Sequence, residues 1–310
     1  MKKPVSVMCI LVVITITSLF TYKKHSVQVQ GSSAGVEAST KTDLSFSVLG
    51  DVHGNVYKFN KAIQDLHSIN PSMDAMILNG DIVDEGLNSQ YDAISKCLNK
   101  NKSILPKQII KNIGNHEFYE YGKGYNSSEK NNEFVNRYLK FAGENSVYHD
   151  TWIKGYHFIS LGTEACNTKQ LGSTKAYISD KQQKWLKEKL QENYDPDRPV
   201  FVFLHHHLVG EIKWWIGVQQ SSEVYNILKE YPQVILFTSH THLLLQSYNE
   251  IINQPFKIMN TGAVSFGLEL NNKGGVNRTD DSQGLYVEVQ GNNVVIRGRD
   301  FNTKTWISKN

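Results

Sequence analysis

The chain has 310 residues, 40% hydrophobic and 11% aromatic, with 33 Lys and Arg against 30 Asp and Glu and a formal charge of +3. At roughly 100–200 residues per domain it holds one large domain or two small ones, and its aromatic content excludes a disordered chain. The near-even charge balance, with no long Lys/Arg block, gives no sign of a nucleic-acid-binding tail, and a single apolar run excludes a membrane protein of many spans.

Lys2 and Lys3 precede an apolar run from Val5 to Phe20 that is interrupted only by Ser and Thr. A short positive segment before such a run reads as an export signal over residues 1–22, either cleaved or kept as a membrane anchor. Small residues suited to cleavage stand at Ala34 and Ala38, far beyond Phe20, and the run is slightly shorter than the about 20 residues of a spanning helix. Both outcomes stay open, and both place the folded body outside the cytoplasm. Residues 23–42, with Ser, Gly and Thr abundant from Gln28, read as a flexible tether, and residues 43–310 as one domain. Cys9 lies in the apolar run, which leaves Cys97 and Cys166. Cys97 reads as a small buried apolar residue.

From Asp43 short apolar strands alternate with helix-period segments. Leu44 to Leu49 runs into Gly50-Asp51, and Val56, Phe59, Ile63 and Leu66 then share one helical face. Ala75 to Leu78 runs into Asn79-Gly80-Asp81, a helix follows through Tyr91, Ile94 and Leu98, and Ile109 to Ile113 leads to Gly114-Asn115-His116. Val147 to His149 and Tyr156 to Leu161 read as strands, and Ser179 to Asn193 as a helix opened by a Ser179/Gln182 capping box. Val200 to Leu204 ends in His205-His206-His207. A helix around Ser222 to Tyr231 precedes Val234 to Phe237, which ends in Ser239-His240-Thr241-His242. Lys257 to Trp306 reads as short strands joined by Gly/Asn turns. The fold class is α/β, with strands layered between helices and no internal repeat.

Ligands of α/β sheets gather at the carboxyl ends of strands. Five strands here end in metal-capable groups: Asp51 with His53, Asp81, Asn115 with His116, the histidines at 205–207, and His240 with His242. Mixed oxygen and nitrogen donors suit Mn, Fe, Zn or Co. This many side chains exceeds what one tetrahedral ion takes, and two ions sharing a bridging carboxylate is the economical arrangement.

Asp51-Val52-His53, Gly80-Asp81-Ile82-Val83-Asp84, Gly114-Asn115-His116-Glu117, the histidines at 205–207 and His240-Thr241-His242 together resemble the calcineurin-like metallophosphoesterases. One block alone is a commonplace pattern; five in the family's order carry the resemblance. It implies a four-layer α/β/β/α sandwich with two divalent or mixed-valence metal ions. Asp51, His53 and His242 would hold the first ion; Asn115, His205 and His240 the second, with His206 the rival of His205; Asp81 would bridge them. His116 would meet the phosphoryl or leaving-group oxygen, and Asp84 would orient its ring. A metal-bridged hydroxide would then attack phosphorus in line. Two positions depart from the family's pattern. Ser239 stands where it usually has glycine, which is expected to leave the ligands in place, and His207 where it usually has proline.

His25, His67, His149 and His157 fall outside every block, and Glu117 is expected to support its turn or the neighbouring histidine, with a catalytic role as the alternative. Tyr119, Tyr121 and Tyr125 form either an aromatic wall beside the site or a self-packed surface loop. Trp214-Trp215-Ile216 reads as core, cleft flank or lipid contact, and Lys123 and Lys213 as solvated cations able to attract phosphate. No substrate-binding residue is assigned. The expected function is a metal-dependent phosphoric ester hydrolase acting on a small phosphate ester, with phosphodiesters preferred. The alternatives are a phosphomonoesterase for nucleotides or phosphoproteins, an enzyme that cleaves a pyrophosphate bond in a nucleotide-sugar or lipid precursor, or a non-catalytic envelope protein that binds a phosphorylated ligand. Oligomeric state is not legible.

Overall fold

Residues 27–29, 42–208, 217–247, 252–253, 255–271 and 274–308 are described by the computed structural model. The expected signal or anchor at 1–22, Cys9, His25 and the segment holding Lys213, Trp214, Trp215 and Ile216 lie outside them. In chain order the elements are β1 (Val27–Val29), β2 (Leu44–Leu49), α1 (Val56–Ile69), β3 (Ala75–Asn79), α2 (Asn88–Lys100) and β4 (Gln108–Asn112). There follow α3 (Ser128–Ala142), β5 (His149–Ile153), β6 (Tyr156–Ser160), α4 (Asp180–Gln191), β7 (Val200–Phe203), α5 (Ser221–Leu228) and β8 (Val234–Thr238). The tail adds β9 (Ile252–Asn253), β10 (Lys257–Asn260), β11 (Gly267–Leu270), β12 (Val276–Thr279), β13 (Gln283–Gln290), β14 (Asn293–Asp300) and β15 (Thr305–Trp306).

One sheet has the order β1-β14-β13-β2-β3-β4, with β15 on β14, and the other β5-β6-β7-β8-β10-β9. β2, β3 and β4 run parallel, as do β6, β7, β8 and β10. The central strands β3, β7 and β8 are buried on both faces and read as apolar runs, whereas β4, at the sheet edge, is only partly buried. The strand period of two sends Phe46, Val48, Ala75 and Ile77 into the core between the sheets, where Phe46 meets Phe158 and Phe201 edge-on at 5.1 and 4.9 Å. Leu49, Met76 and Leu78 face the other way, against α1, α2 and α3. On the far side Ile159, Val202 and Leu236 pack against α4 and α5. Three apolar cores thus separate four layers, the α/β/β/α sandwich that the resemblance implies.

The structure departs from the sequence reading in four places. Helix α3 was not expected, although Ser127 caps it by accepting from the Lys130 N–H and Gly143 closes it at φ 78°. β5 begins at His149, so Val147 and Tyr148 precede it. The capping box at α4 is half present: Ser179 accepts from the Gln182 N–H, but the Gln182 side chain turns inward to Gly162. Glu164 takes the vacated role by accepting from the Ser179 N–H at 2.6 Å. The tether reading of 23–42 is corrected at Val27–Val29, which pairs in parallel with Val294–Ile296 as an edge strand. Cys97 and Cys166 are both buried free thiols.

Arg299 of β14 donates from Nε and a terminal nitrogen to both oxygens of Asp65 on α1, at 2.7 and 2.9 Å, with both residues buried. Removing one partner of a buried pair strands the other charge. Asp65→Asn should therefore cost about 3 kcal/mol of stability in denaturant unfolding, and a loss under about 0.5 kcal/mol would show that the pair is solvated.

Candidate metal centre

The loops after β2, β3 and β4 of one sheet meet those after β7 and β8 of the other at a single edge of the sandwich. The sheets are joined there by Asn79, whose side-chain nitrogen donates to the Phe237 carbonyl at 3.3 Å and the Ser239 hydroxyl at 2.9 Å. Asp51, His53, Asp81, His240 and His242 all hold left-handed backbone, with φ of 54°, 48°, 49°, 69° and 56°. For residues with side chains this costs of order 1 kcal/mol each or more, and such strain gathers at functional turns. Neighbouring glycines make the turns feasible. A Cβ on Gly80 (φ 85°) would strike the His205 ring at 2.5 Å, and one on Gly114 would strike Asp81. Ser239, in the place of the family's glycine, is fully buried with its hydroxyl also 2.7 Å from that of Thr261. The left-handed turn at His240 is kept.

The histidines are oriented in one sense. His53 Nδ1 donates to Asp84 Oδ1 at 3.1 Å, His205 Nδ1 to the Asn79 carbonyl at 2.8 Å, and His242 Nδ1 to the Phe266 carbonyl at 3.0 Å. Because these partners only accept, each Nδ1 carries a hydrogen and each Nε2, once free of any proton of its own, presents a lone pair. All three Nε2 atoms face carboxylates: His205 lies 3.1 Å from Asp81, His242 3.3 Å from Asp51, and His53 3.8 and 3.7 Å from both. Nε2 of His53 and Nε2 of His242 are only 3.0 Å apart. His206 points elsewhere, with Nε2 2.9 Å from the Thr174 carbonyl. Geometry thus separates the two rivals at this position and puts His205 in the cluster.

Asp51 and Asp81 are almost fully buried. Burial alone would raise their pKa values, but the facing imidazoles, His242 and His53 for Asp51 and His205 and His116 for Asp81, hold both well below the usual range. Burial opposes the charged form of His53 and His205 too, yet the carboxylates win and push these up to about 10 and about 9. His240, buried beside His205, is pushed down to about 3. Glu117, fully buried, accepts from the backbone N–H groups of Asp81, Ile82 and Gly114 at 3.1, 2.8 and 2.6 Å, so it supports its turn as expected. Burial and the Asp81 charge push it up to about 7.

These residues fit a pair of cations. Asn115 Oδ1 is buried without a hydrogen-bond partner, a costly state for a polar atom unless an ion completes it, while Asp51 Oδ1 faces the His242 imidazole and His205 Nε2 the Asp81 carboxylate. Asn115 is turned so that its nitrogen donates to the Tyr119 hydroxyl at 3.0 Å, leaving the oxygen for a ligand role. Donor atoms of Asp51, His53 and His242, and those of Asp81, His205 and His240, each lie within 4.8 Å of one another.

His116 also has a donor atom within 4.8 Å of those of His53 and Asp81, with its ring centroid 4.2 Å from that of His53 and Nε2 4.0 Å from Asp81. Its Nδ1 donates to the Asp84 backbone carbonyl at 2.9 Å, whereas the Asp84 carboxylate lies closer to His53 than to His116, at 3.1 against 3.4 Å. Asp84 therefore holds the His116 ring chiefly through its main-chain carbonyl, while its carboxylate is shared between His116 and His53. Hydrogen bonds from His116 and then His53 hold that carboxylate well below the usual range.

A cleft of about 490 Å³ opens over these groups, lined by His53, His116, His242, Tyr121, Phe266 and Arg278 among others. The three tyrosines do not form one wall: Tyr119 packs on His116 at 4.5 Å, Tyr121 lines the cleft, and Tyr125 lines a separate cavity of about 650 Å³ near the start of α3. Phe266 and Arg278 were missed because they lie in the tail, outside every motif. His157 is bound to Asp150 at 2.9 Å, away from the site as expected.

A family model described as calcineurin-like phosphoesterase matches residues 44–244. A search of curated proteins returned no match. Among solved structures, a dimetal phosphatase from Danio rerio is similar at 14% identity and TM-score 0.60, over 87% of this chain and all of that one. Purple acid phosphatase PPD1 from yellow lupin seeds is similar at 13% identity and TM-score 0.59, over 86% of this chain and 52% of its own. GAP50, the anchor in the inner membrane complex of Plasmodium, is similar at 11% identity and TM-score 0.53, over 86% of this chain and 88% of its own. At these identities the likeness is one of fold.

The raised pKa values of His53 and His205 mean that both rings carry an extra proton at pH 7 when no cation is bound. A cation needs those lone pairs, so Mn²⁺ loading at pH 7 should release about two protons per chain, and affinity should rise with pH. Calorimetry in two buffers of different ionisation enthalpy measures this, and loading without proton release would contradict the arrangement.

Proposed function

The chain belongs to the calcineurin-like phosphoesterase family, and from that membership we propose that it hydrolyses phosphoric esters at two metal ions, with diesters preferred. The carrying observation is that His53, His205 and His242 each spend Nδ1–H on an oxygen and aim Nε2 at Asp51 or Asp81. Such outer hydrogen bonds fix tautomer and angle in metal-ligating histidines. In this reading Asp51, His53 and His242 would hold one ion and Asn115, His205 and His240 the other, with Asp81 available to both. When bound, the ions supply positive charge to the phosphoryl oxygens and lower the pKa of a water. The donor set suits Mn, Fe, Zn or Co.

The protein's own groups then divide the remaining tasks. The Asp84 carbonyl holds His116 Nδ1–H, which turns Nε2 toward the cluster, where it meets the leaving-group oxygen and, when protonated, donates to it. The Tyr121 hydroxyl donates to Asp84 Oδ1 at 3.2 Å and closes that side. Diester preference is supported by the shape of the cleft. Contacts run from Tyr121 through His116, His53 and His242 to Phe266. In this reading one substituent on phosphorus would face His116 and a second would lie along the cleft toward Phe266. The phosphomonoester reading is kept because the Danio rerio and lupin proteins of similar fold are named phosphatases. Export through residues 1–22, whether as a cleaved signal or an anchor, is part of the proposal and rests on sequence alone.

Mn²⁺-loaded protein should hydrolyse bis(p-nitrophenyl) phosphate faster than p-nitrophenyl phosphate, and Asn115→Ala should abolish both activities. A monoester preference would reverse the substrate order proposed here. His116→Ala should keep its metal content by elemental analysis while kcat falls by about 10²–10⁴. Metal loss in that variant would make His116 a ligand and overturn the division of roles.

A further inference from the structure

We propose that Arg278 binds a second anionic group, phosphate or carboxylate, carried by the substrate several bonds from the scissile phosphorus. This deepens the reading above and rests on it. Arg278 lies on β12, opposite Leu268 of β11, and its guanidinium carbon sits 3.6 Å from the centroid of the Phe266 ring. Phe266 in turn stacks on His242 at 4.1 Å and 25°. Two groups that close to one ring cannot share a face, so Arg278 and His242 occupy opposite faces of Phe266. The cation is therefore placed two stacking layers from a ring that faces Asp51, inside the same cleft.

Its charge is unspent. Arg137, Arg297 and Arg299 each pair with a carboxylate, at Glu133, Glu288 and Asp65. Among the described residues Arg278 has no such partner, and its side chain is solvent-facing. Stacking uses only the face of a guanidinium and leaves the N–H donors around its edge free for an oxyanion.

The arm that carries Arg278 is also fixed. The ammonium of Lys58, buried on α1, donates to the Ser265 carbonyl at 2.9 Å, the Asp280 carbonyl at 2.6 Å and the Asp280 carboxylate at 2.8 Å, which ties down both feet of the β11–β12 hairpin. β11 is bonded to the last histidine loop as well, from the Leu268 N–H to the His242 carbonyl at 2.7 Å and from the Leu244 N–H to the Leu268 carbonyl at 3.0 Å. A side chain on a scaffold coupled to His242 keeps its distance from the cluster, as a selective contact requires.

The test uses Mn²⁺-loaded protein and two non-hydrolysable probes, butylphosphonate and 4-phosphonobutyrate, which differ by one carboxylate. Calorimetric titration should show 4-phosphonobutyrate binding about tenfold tighter to the wild type, as expected for one charge-assisted contact. R278Q should bring the two affinities within about twofold, and R278K should keep part of the gap. Equal affinities in the wild type, or a gap that survives in R278Q, would overturn the assignment. If neither phosphonate bound the wild type, the phosphoryl-site reading would fall, and this one with it. Loss of butylphosphonate binding alone in R278Q would make Arg278 a contact of the scissile phosphoryl group, contrary to the proposal.

Discussion

Two buried carboxylates, Asp51 and Asp81, set the terms for the rest of the molecule. An uncompensated buried charge costs several kcal/mol, so each must be surrounded by groups that answer it. The answer comes from both sheets: His53 shares a sheet with the carboxylates, whereas His205 and His242 cross from the other. The inter-sheet phenylalanine core holds the sheets in the alignment that lets this edge form. Asn79 pins the contact, because it accepts from His205 through its carbonyl and donates across the gap through its side chain.

That convergence has a local cost and a local support. Five of the expected ligands sit in left-handed turns, which only a well-determined surrounding structure sustains. Glu117 is a large part of that support. From one buried position it gathers the N–H groups of the Asp81 turn and of Gly114, so Asp81 and the Asn115 loop move as one unit. Lys58 does the same at longer range by holding the β11–β12 hairpin against α1. A site built this way is organised before any ligand arrives, which lowers the ordering cost of binding.

Much of this was legible in the sequence because the signals are short-range. A buried parallel strand is an apolar run, and its end is marked by Gly-Asp or Gly-Asn-His, so the ligand blocks announced themselves in order. What was not legible depends on distance. His205 and His206 are equivalent as letters; only the Asn79 carbonyl, more than a hundred residues earlier, tells them apart. The sharing of the Asp84 carboxylate between two imidazoles, and the stacking of Arg278 on Phe266, likewise exist only once separate loops are brought together. Helix α3 had a readable cap at Ser127, a stop at Gly143 and an apolar face through Phe134, Tyr138 and Phe141, so the signal was present in the sequence although no element was assigned there.

The central claim is that one bridging carboxylate and two sets of imidazoles hold two ions. Anomalous diffraction from crystals of Mn²⁺-loaded protein tests it most directly. The account predicts two peaks sharing Asp81, one among Asp51, His53 and His242 and the other among Asn115, His205 and His240. A single peak, or a peak coordinated by His206 in place of His205, would contradict it.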